Sequence, residues 1–148
     1  MPKIPPPAYL AAGLLAQHLL APKGRRGARH LVAGSALASA SVAMLVLANQ
    51  RFHRHHTTVN PIDPSRASTL VTEGVFKLTR NPMYVGMAGL LAAHAVARGG
   101  WMTQLPLAAF VAVIDRVQIP AEERALTARF GDSYTSYLAE VPRWIRPT

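Results

Sequence analysis

Cysteine is absent from this 148-residue chain, which excludes disulfide bridges, thiolate metal sites and a cysteine nucleophile, and leaves the redox compartment open. Charge is scarce as well: Asp, Glu, Lys and Arg make up 16% of the residues, against 50% that are hydrophobic. With a mean hydropathy of +0.15, that balance is too apolar for an ordinary water-soluble domain, and the length is that of one domain. The charge that is present has one dominant sign, sixteen Lys and Arg against seven Asp and Glu, for a net charge of +9. Such an excess suits either nucleic acid or an anionic membrane surface. Here the cations lie between apolar runs instead of along one stripe, so juxtamembrane charge explains them and no nucleic-acid partner is expected.

Four apolar segments stand out, at residues 8–21, 31–49, 83–97 and 101–119. The second and fourth approach the ~20 residues with which a helix crosses ~30 Å of hydrocarbon. The first and third are shorter; local bilayer thinning lets short helices span, and Pro5, Pro6, Pro7 and Pro82 are tolerated at or before a first turn. The first segment has the length of a signal-peptide core, but a basic loop and a second apolar stretch follow it without a clear cleavage site, so it is read as a membrane helix. The expected architecture is all-α and polytopic, a single membrane domain with about four transmembrane helices and C-terminal interfacial amphipathic helices. Residues 1–50 form two N-terminal helices, 51–82 a cytoplasmic loop, 83–119 a hairpin turning at Gly99 and Gly100, and 120–148 an amphipathic tail. Ala, Gly and Ser are dense in the second segment and permit close helix packing.

If the two ends and the long loop share one side, that side holds eleven of the sixteen Lys and Arg; Lys23, Arg25, Arg26, Arg29 and Arg98 lie opposite. The positive-inside rule then places the termini and the loop in the cytoplasm. In the tail, Pro120 is expected to open a helix with Leu126 and Phe130 on one face, and Gly131 to end it. Asp132 or Ser133 then caps a second short helix carrying Tyr134 and Tyr137, and part of this tail rests on the headgroups.

Two polar motifs frame the last two apolar segments: TRNPMYVG at residues 79–86 and IPAEERALTARFGDSYTSYLAEVPRW at residues 119–144. An even number of crossings between them returns both to one membrane face, where they form a single site. In order and spacing, LVTEGVFKLTRNPMYVG, an apolar hairpin and EERALTARFGDSYTSYLAEVPRW together resemble the isoprenylcysteine carboxyl methyltransferase family and its relatives among the phospholipid methyltransferases. The resemblance runs from about Thr57 to Pro147. It implies an integral membrane methyltransferase that takes S-adenosylmethionine from the cytoplasm and a lipophilic acceptor from the bilayer. Carried over residue by residue, it implies cofactor contacts from Arg80, Asn81, Pro82, Tyr84 and Gly86 on one side, and from Glu122, Glu123, Tyr134 and Tyr137 on the other. Asn81 stands where better known eukaryotic members have histidine, so no ring base or ring stack is available there. The resemblance also implies that the loop at residues 57–74 folds over the cofactor.

The chemistry of these side chains fits such a ligand. Arg80 suits a two-point clamp on a carboxylate, and Pro82 leaves free amides at a positive helix end. Tyr84 offers a ring face to a sulfonium, worth roughly 0.5–2 kcal/mol. Gly86 and Gly89, on one helix face, let a helix or the cofactor approach. Glu122 and Glu123 suit the cofactor's ammonium or ribose hydroxyls. Glu123 is the first candidate to take a proton from an amine acceptor, and Arg143 pairs with an anionic substrate group; with Arg80 these are the candidate catalytic residues. Each has a plainer use: headgroup contact for the arginines, interfacial anchoring for Tyr84, and helix-dipole complementation for the glutamates. On that plainer reading the chain is a noncatalytic helical membrane protein whose basic loops bind anionic lipids. The run RFHRHH at residues 51–56 lacks a nearby carboxylate, so no metal site is expected. His18 and His94 are expected to be satisfied by neighbours, and Asp115 to pair with Arg116.

Overall fold

The computed structural model describes residues 4–24, 26–54 and 68–145. Helix α1 covers Pro6–Leu20, α2 Ala28–Arg54, α3 Pro82–Arg98, α4 Gln104–Val113, α5 Ile119–Phe130 and α6 Asp132–Glu140, and no strand occurs among the described residues. A 3-10 turn at Trp101–Thr103 leads into α4, and a π-helical segment at Ile114–Gln118 joins α4 to α5, so helix runs without a break from Trp101 to Phe130.

The helices alternate in direction. Gly99 and Gly100, with φ of 67° and 84°, make the turn between α3 and α4 in backbone conformations that disfavour a Cβ. This end also holds the α1–α2 connection, since Arg26 Nε donates to the Arg98 carbonyl at 2.8 Å. The opposite end gathers the start of α1, the end of α2, the start of α3 and the whole of α5 and α6.

Many large apolar side chains face outward, although the core is itself largely apolar. Leu19, Val32 and Leu15 are 74%, 69% and 61% exposed, and Leu31, Val46, Leu47 and Leu105 also face outward. Gln17, Ser41, Thr79, Thr103 and Gln118 are buried instead. Gln17 shows how such a group is satisfied: its Nε2 donates to the carbonyls of Leu91 and Thr103, each at 2.9 Å, while its Oε1 lies 3.0 Å from His94 Nδ1. His94 is therefore held by a neighbour, as expected. An apolar exterior around polar interior contacts is the surface that a hydrocarbon solvent favours.

Among the described residues, two helices are long and apolar enough to cross a membrane: α2, with 27 residues, and the 30-residue run from Trp101 to Phe130. Helices α1 and α3, with 15 and 17 residues, reach only about 22 and 25 Å at ~1.5 Å per residue, short of ~30 Å of hydrocarbon. Of the four expected spans, the second and fourth meet the length requirement. Small residues set the α2–α3 contact. A Cβ on Gly89 would stand 2.2 Å from Ser41 Oγ, and one on Gly34 would stand 2.8 Å from the Ala97 Cβ.

One local expectation is refined and two are corrected. Pro120 lies in the first turn of α5, as expected, but that helix continues from α4, and the wider π turn before it moves aside the carbonyl that its ring would strike in a plain α-helix. Gly131 ends α5 at φ 55°, as expected, but it also serves as the N-cap of α6, which makes no side-chain cap bond to Asp132 or Ser133. Asp115 bonds Arg143 and Trp144 rather than Arg116. Tyr134 and Tyr137 of the tail are 4% and 7% exposed and pack with Phe76, Val71 and Ala48.

Candidate functional site

The two polar motifs are tied together by hydrogen bonds and ion pairs. Arg80 N donates to the Pro142 carbonyl at 2.9 Å, and Thr79 Oγ1 and Asn81 Nδ2 both donate to the Arg143 carbonyl, at 2.8 and 3.1 Å. Side chains complete the join. Arg80 Nη2 lies 2.9 Å from Glu123 Oε1 and Nη1 donates to the Leu138 carbonyl at 2.8 Å. Arg143 grips the same glutamate at two points, Nη2 to Oε2 at 2.7 Å and Nε to Oε1 at 3.2 Å, and reaches Asp115 Oδ1 at 3.3 Å. The Asp115 carboxylate also accepts from the Trp144 indole at 2.8 Å. Glu123 is thus the centre of a chain of alternating charge linking α5, the approach to α3 and the segment after α6.

Its neighbour in sequence faces elsewhere. Glu122 Oε1 accepts from the Tyr84 hydroxyl on α3 and from Gln118 Nε2, the latter at 2.7 Å. Both bonds use one oxygen, and Oε2 has no bonded partner among the described residues.

These groups line a cavity of about 260 Å³, near the lower limit of ~300 Å³ for small-molecule pockets. Of the nine expected cofactor residues, eight line it: Arg80, Asn81, Pro82, Tyr84, Glu122, Glu123, Tyr134 and Tyr137. Gly86 does not; a Cβ there would stand 2.6 Å from Leu45 Cγ, so its place is against α2. Arg143 lies behind the wall, bound to Glu123. Phe52, Phe76, Leu126 and Phe130 make the apolar side, with Phe52 and Phe76 edge to face at 5.2 Å. Thr69, Leu70 and Val71 add part of the loop before α3; residues 57–67 of that loop, with His55 and His56, lie outside the described residues.

Burial governs the phenols. The Tyr134 hydroxyl is pushed up to about 12, chiefly by desolvation and then by the nearby Glu123 charge. Tyr137 is raised by burial and by Tyr134, and it donates to the Phe76 carbonyl at 2.6 Å. Both are neutral donors at physiological pH. The Arg143 guanidinium is held above its ordinary value, first by its bond to Glu123. Arg80, with a side chain 11% exposed, carries one unused donor: its Nε–H is buried without a partner among the described residues.

The two-point carboxylate clamp expected of Arg80 is therefore not free, since both terminal nitrogens are engaged within the protein. Sequence reasoning passed over Gln118, Pro6 and Pro7, of which the prolines line the cavity from α1. For Gln118 a signal existed: a lone amide inside an apolar run, four residues before Glu122.

Over its full length, a protein of Haemophilus influenzae (strain ATCC 51907 / DSM 11121 / KW20 / Rd), described only as an uncharacterized protein, is 35% identical across 63 residues, 43% of this chain. No solved structure matches. The family description "Phospholipid methyltransferase" matches residues 28–133, more than two thirds of the sequence and inclusive of the arginine-tyrosine motif and both glutamates. The chain belongs to the phospholipid methyltransferase family.

Proposed function

We propose that this protein is an integral membrane methyltransferase that draws S-adenosylmethionine from the cytoplasm into the 260 Å³ cavity and methylates a lipophilic acceptor from the bilayer. The observation that carries the reading is the Arg80–Glu123–Arg143 linkage, which closes both polar motifs of a methyltransferase family around one hollow.

The residues present suit the cofactor. Its carboxylate finds the unused Nε–H of Arg80 and the first amides of α3, which have no intrahelical acceptor and sit at the positive end of the helix dipole. Its ammonium finds Glu122 Oε2. Tyr84 and Tyr134 supply ring surface around the sulfonium, and the Tyr134 hydroxyl serves the ribose. When bound, S-adenosylmethionine supplies the electrophilic methyl group. The chain's own task is then to hold acceptor and cofactor in line and to keep water out, and the Phe52, Phe76, Leu126 and Phe130 side serves that purpose. A carboxylate or thiolate acceptor needs no base. For an amine, Glu122 is the better proton acceptor of the two glutamates, because Glu123 already accepts from two guanidiniums.

Orientation follows from charge. Among the described residues, Arg51, Arg54, Lys77, Arg80, Arg116, Arg124, Arg129 and Arg143 cluster at the cavity end, against Lys23, Arg26, Arg29 and Arg98 at the other. The positive-inside rule puts the cavity at the cytoplasmic face.

Incubating membranes that contain the protein with methyl-labelled S-adenosylmethionine, then fractionating the extracted lipids, tests the reading. Label in a lipid fraction that disappears in the Glu122→Gln protein supports it. No label, with no saturable cofactor binding in calorimetry, leaves a helical protein that binds anionic lipids through its basic end.

A further inference from the structure

The helix running from Trp101 to Phe130 carries an interior stripe that a plain α-helix does not keep on one face. Phe110, Ile114, Gln118, Glu122 and Leu126 recur at every fourth residue. At ~3.6 residues per turn each step of four advances a side chain by about 40°, which totals roughly 160° from the first to the last. Yet Phe110 and Ile114 are 3% and 0% exposed, Gln118 is 1% exposed, and Glu122 and Leu126 line the cavity. The π segment at Ile114–Gln118 resolves the mismatch, because its wider turn takes back part of the accumulated rotation.

Gln118 is the polar member that this adjustment brings inside. Burying an amide in such a helix is unfavourable unless the group is bonded, and its Nε2–H lies 2.7 Å from Glu122 Oε1. The same oxygen takes the Tyr84 hydroxyl from α3. Two donors from different helices on one carboxylate oxygen prevent the group from rotating and keep the other oxygen out of intramolecular bonding. Glu123 has other partners, Arg80 and Arg143.

We infer that Gln118 is a positioning residue: together with Tyr84 it pins Glu122 through Oε1 and thereby presents Oε2 to the ammonium group of the bound cofactor. The inference rests on the methyltransferase reading above. It differs from a packing role in being specific to the charge on the ligand. A packing residue supports every ligand equally, whereas an aimed carboxylate matters only to a ligand that carries the cation.

Calorimetry on the full chain in lipid nanodiscs, with S-adenosylhomocysteine and with its analogue lacking the α-amino group, separates the two roles. Gln118→Met, close in shape but without a donor, should weaken S-adenosylhomocysteine about tenfold, the loss of one hydrogen bond to a charged group. It should leave the deaminated analogue within about twofold. Tyr84→Phe removes the second donor and should give the same pattern, and it stands in if Gln118→Met does not fold. Equal weakening of both ligands, or of neither, overturns the positioning role. Absence of binding by the unmodified protein overturns the methyltransferase reading and the inference with it, and it shows before any variant is made.

Discussion

Glu122 and Glu123 are adjacent in sequence but have different partners, and from this we expect separable work. In Glu123→Gln the carboxylate that faces Arg80 and Arg143 becomes a neutral amide, leaving two guanidiniums near each other without their shared anion. The three bonds involved span 2.7–3.2 Å, and the Arg80, Glu123 and Arg143 side chains are 11%, 18% and 32% exposed. Breaking a fully buried pair costs about 3–5 kcal/mol, while an exposed pair contributes about 0–1 kcal/mol. Arg80 lies near the first limit and Arg143 between the two, so a loss of about 2–4 kcal/mol is expected. At about 2–4 °C per kcal/mol for a chain of this size, the melting temperature in mild detergent should fall by about 5–15 °C. Glu122→Gln keeps an oxygen for Tyr84 and Gln118, so its stability should change by less than about 1 kcal/mol, whereas affinity for S-adenosylhomocysteine should drop at least about tenfold. Thermal melts and calorimetry on both variants read out the contrast. Equal melting of the two, or unchanged affinity in Glu122→Gln, refutes the division of labour.

Four further outcomes follow from other parts of the fold. Gly86→Ala places a Cβ 2.6 Å from Leu45 Cγ and should cost about 1–3 kcal/mol in thermal melts, with Leu45→Ala restoring part of the loss if the clash is the cause. Gln17→Leu removes three interior bonds and strands His94 without its partner, so it should lower the melting temperature without changing cofactor affinity. Tyr134 titrates at about 12 in the fold against ~10 when unfolded; its contribution is intact below pH 10 and declines as pH rises toward 12, so Tyr134→Phe should lessen the fall in stability between pH 9 and 11. Deleting Val117, which is 52% exposed within the π segment, should turn α5 by about 100° relative to α4, retaining helical circular dichroism while abolishing cofactor binding.

The parts of the fold legible in the sequence are those that depend on local physics. Apolar runs and glycine pairs mark the helices and the hairpin at Gly99 and Gly100, and Gly131 marks the break between α5 and α6. The pairing of the two motifs was legible because helix count constrains which ends meet. Which oxygen meets which donor was not, because that depends on rotation about helix axes and on the path of the chain after α6. Arg80 illustrates the gap. Its residue type and its neighbours announced an anion-binding group, and only the positions of Glu123 and the Leu138 carbonyl show that two of its nitrogens are already committed. Gly86 is a second case: close approach was expected of it, and the approaching body is Leu45 of α2.

The division between the glutamates has a geometric origin. Successive residues on a helix point about 100° apart, so Glu122 and Glu123 cannot serve the same neighbours, and the phase of α5 decides which of them meets Tyr84 and which meets the arginines. Pattern reading assigns that phase by extending the apolar face of the preceding segment, and the extension fails here because a π turn intervenes. Glu123, the first candidate proton acceptor on sequence grounds, lines the cavity with its carboxylate engaged by Arg80 and Arg143, and this is why we propose Glu122 for that role. Lipid offers helices little hydrophobic drive to associate, so the cavity end relies on charged and hydrogen-bonded links of the Glu123 kind to hold α5 and α6 over α3. With those links fixing the wall, the carboxylate one residue away is free to face the cavity.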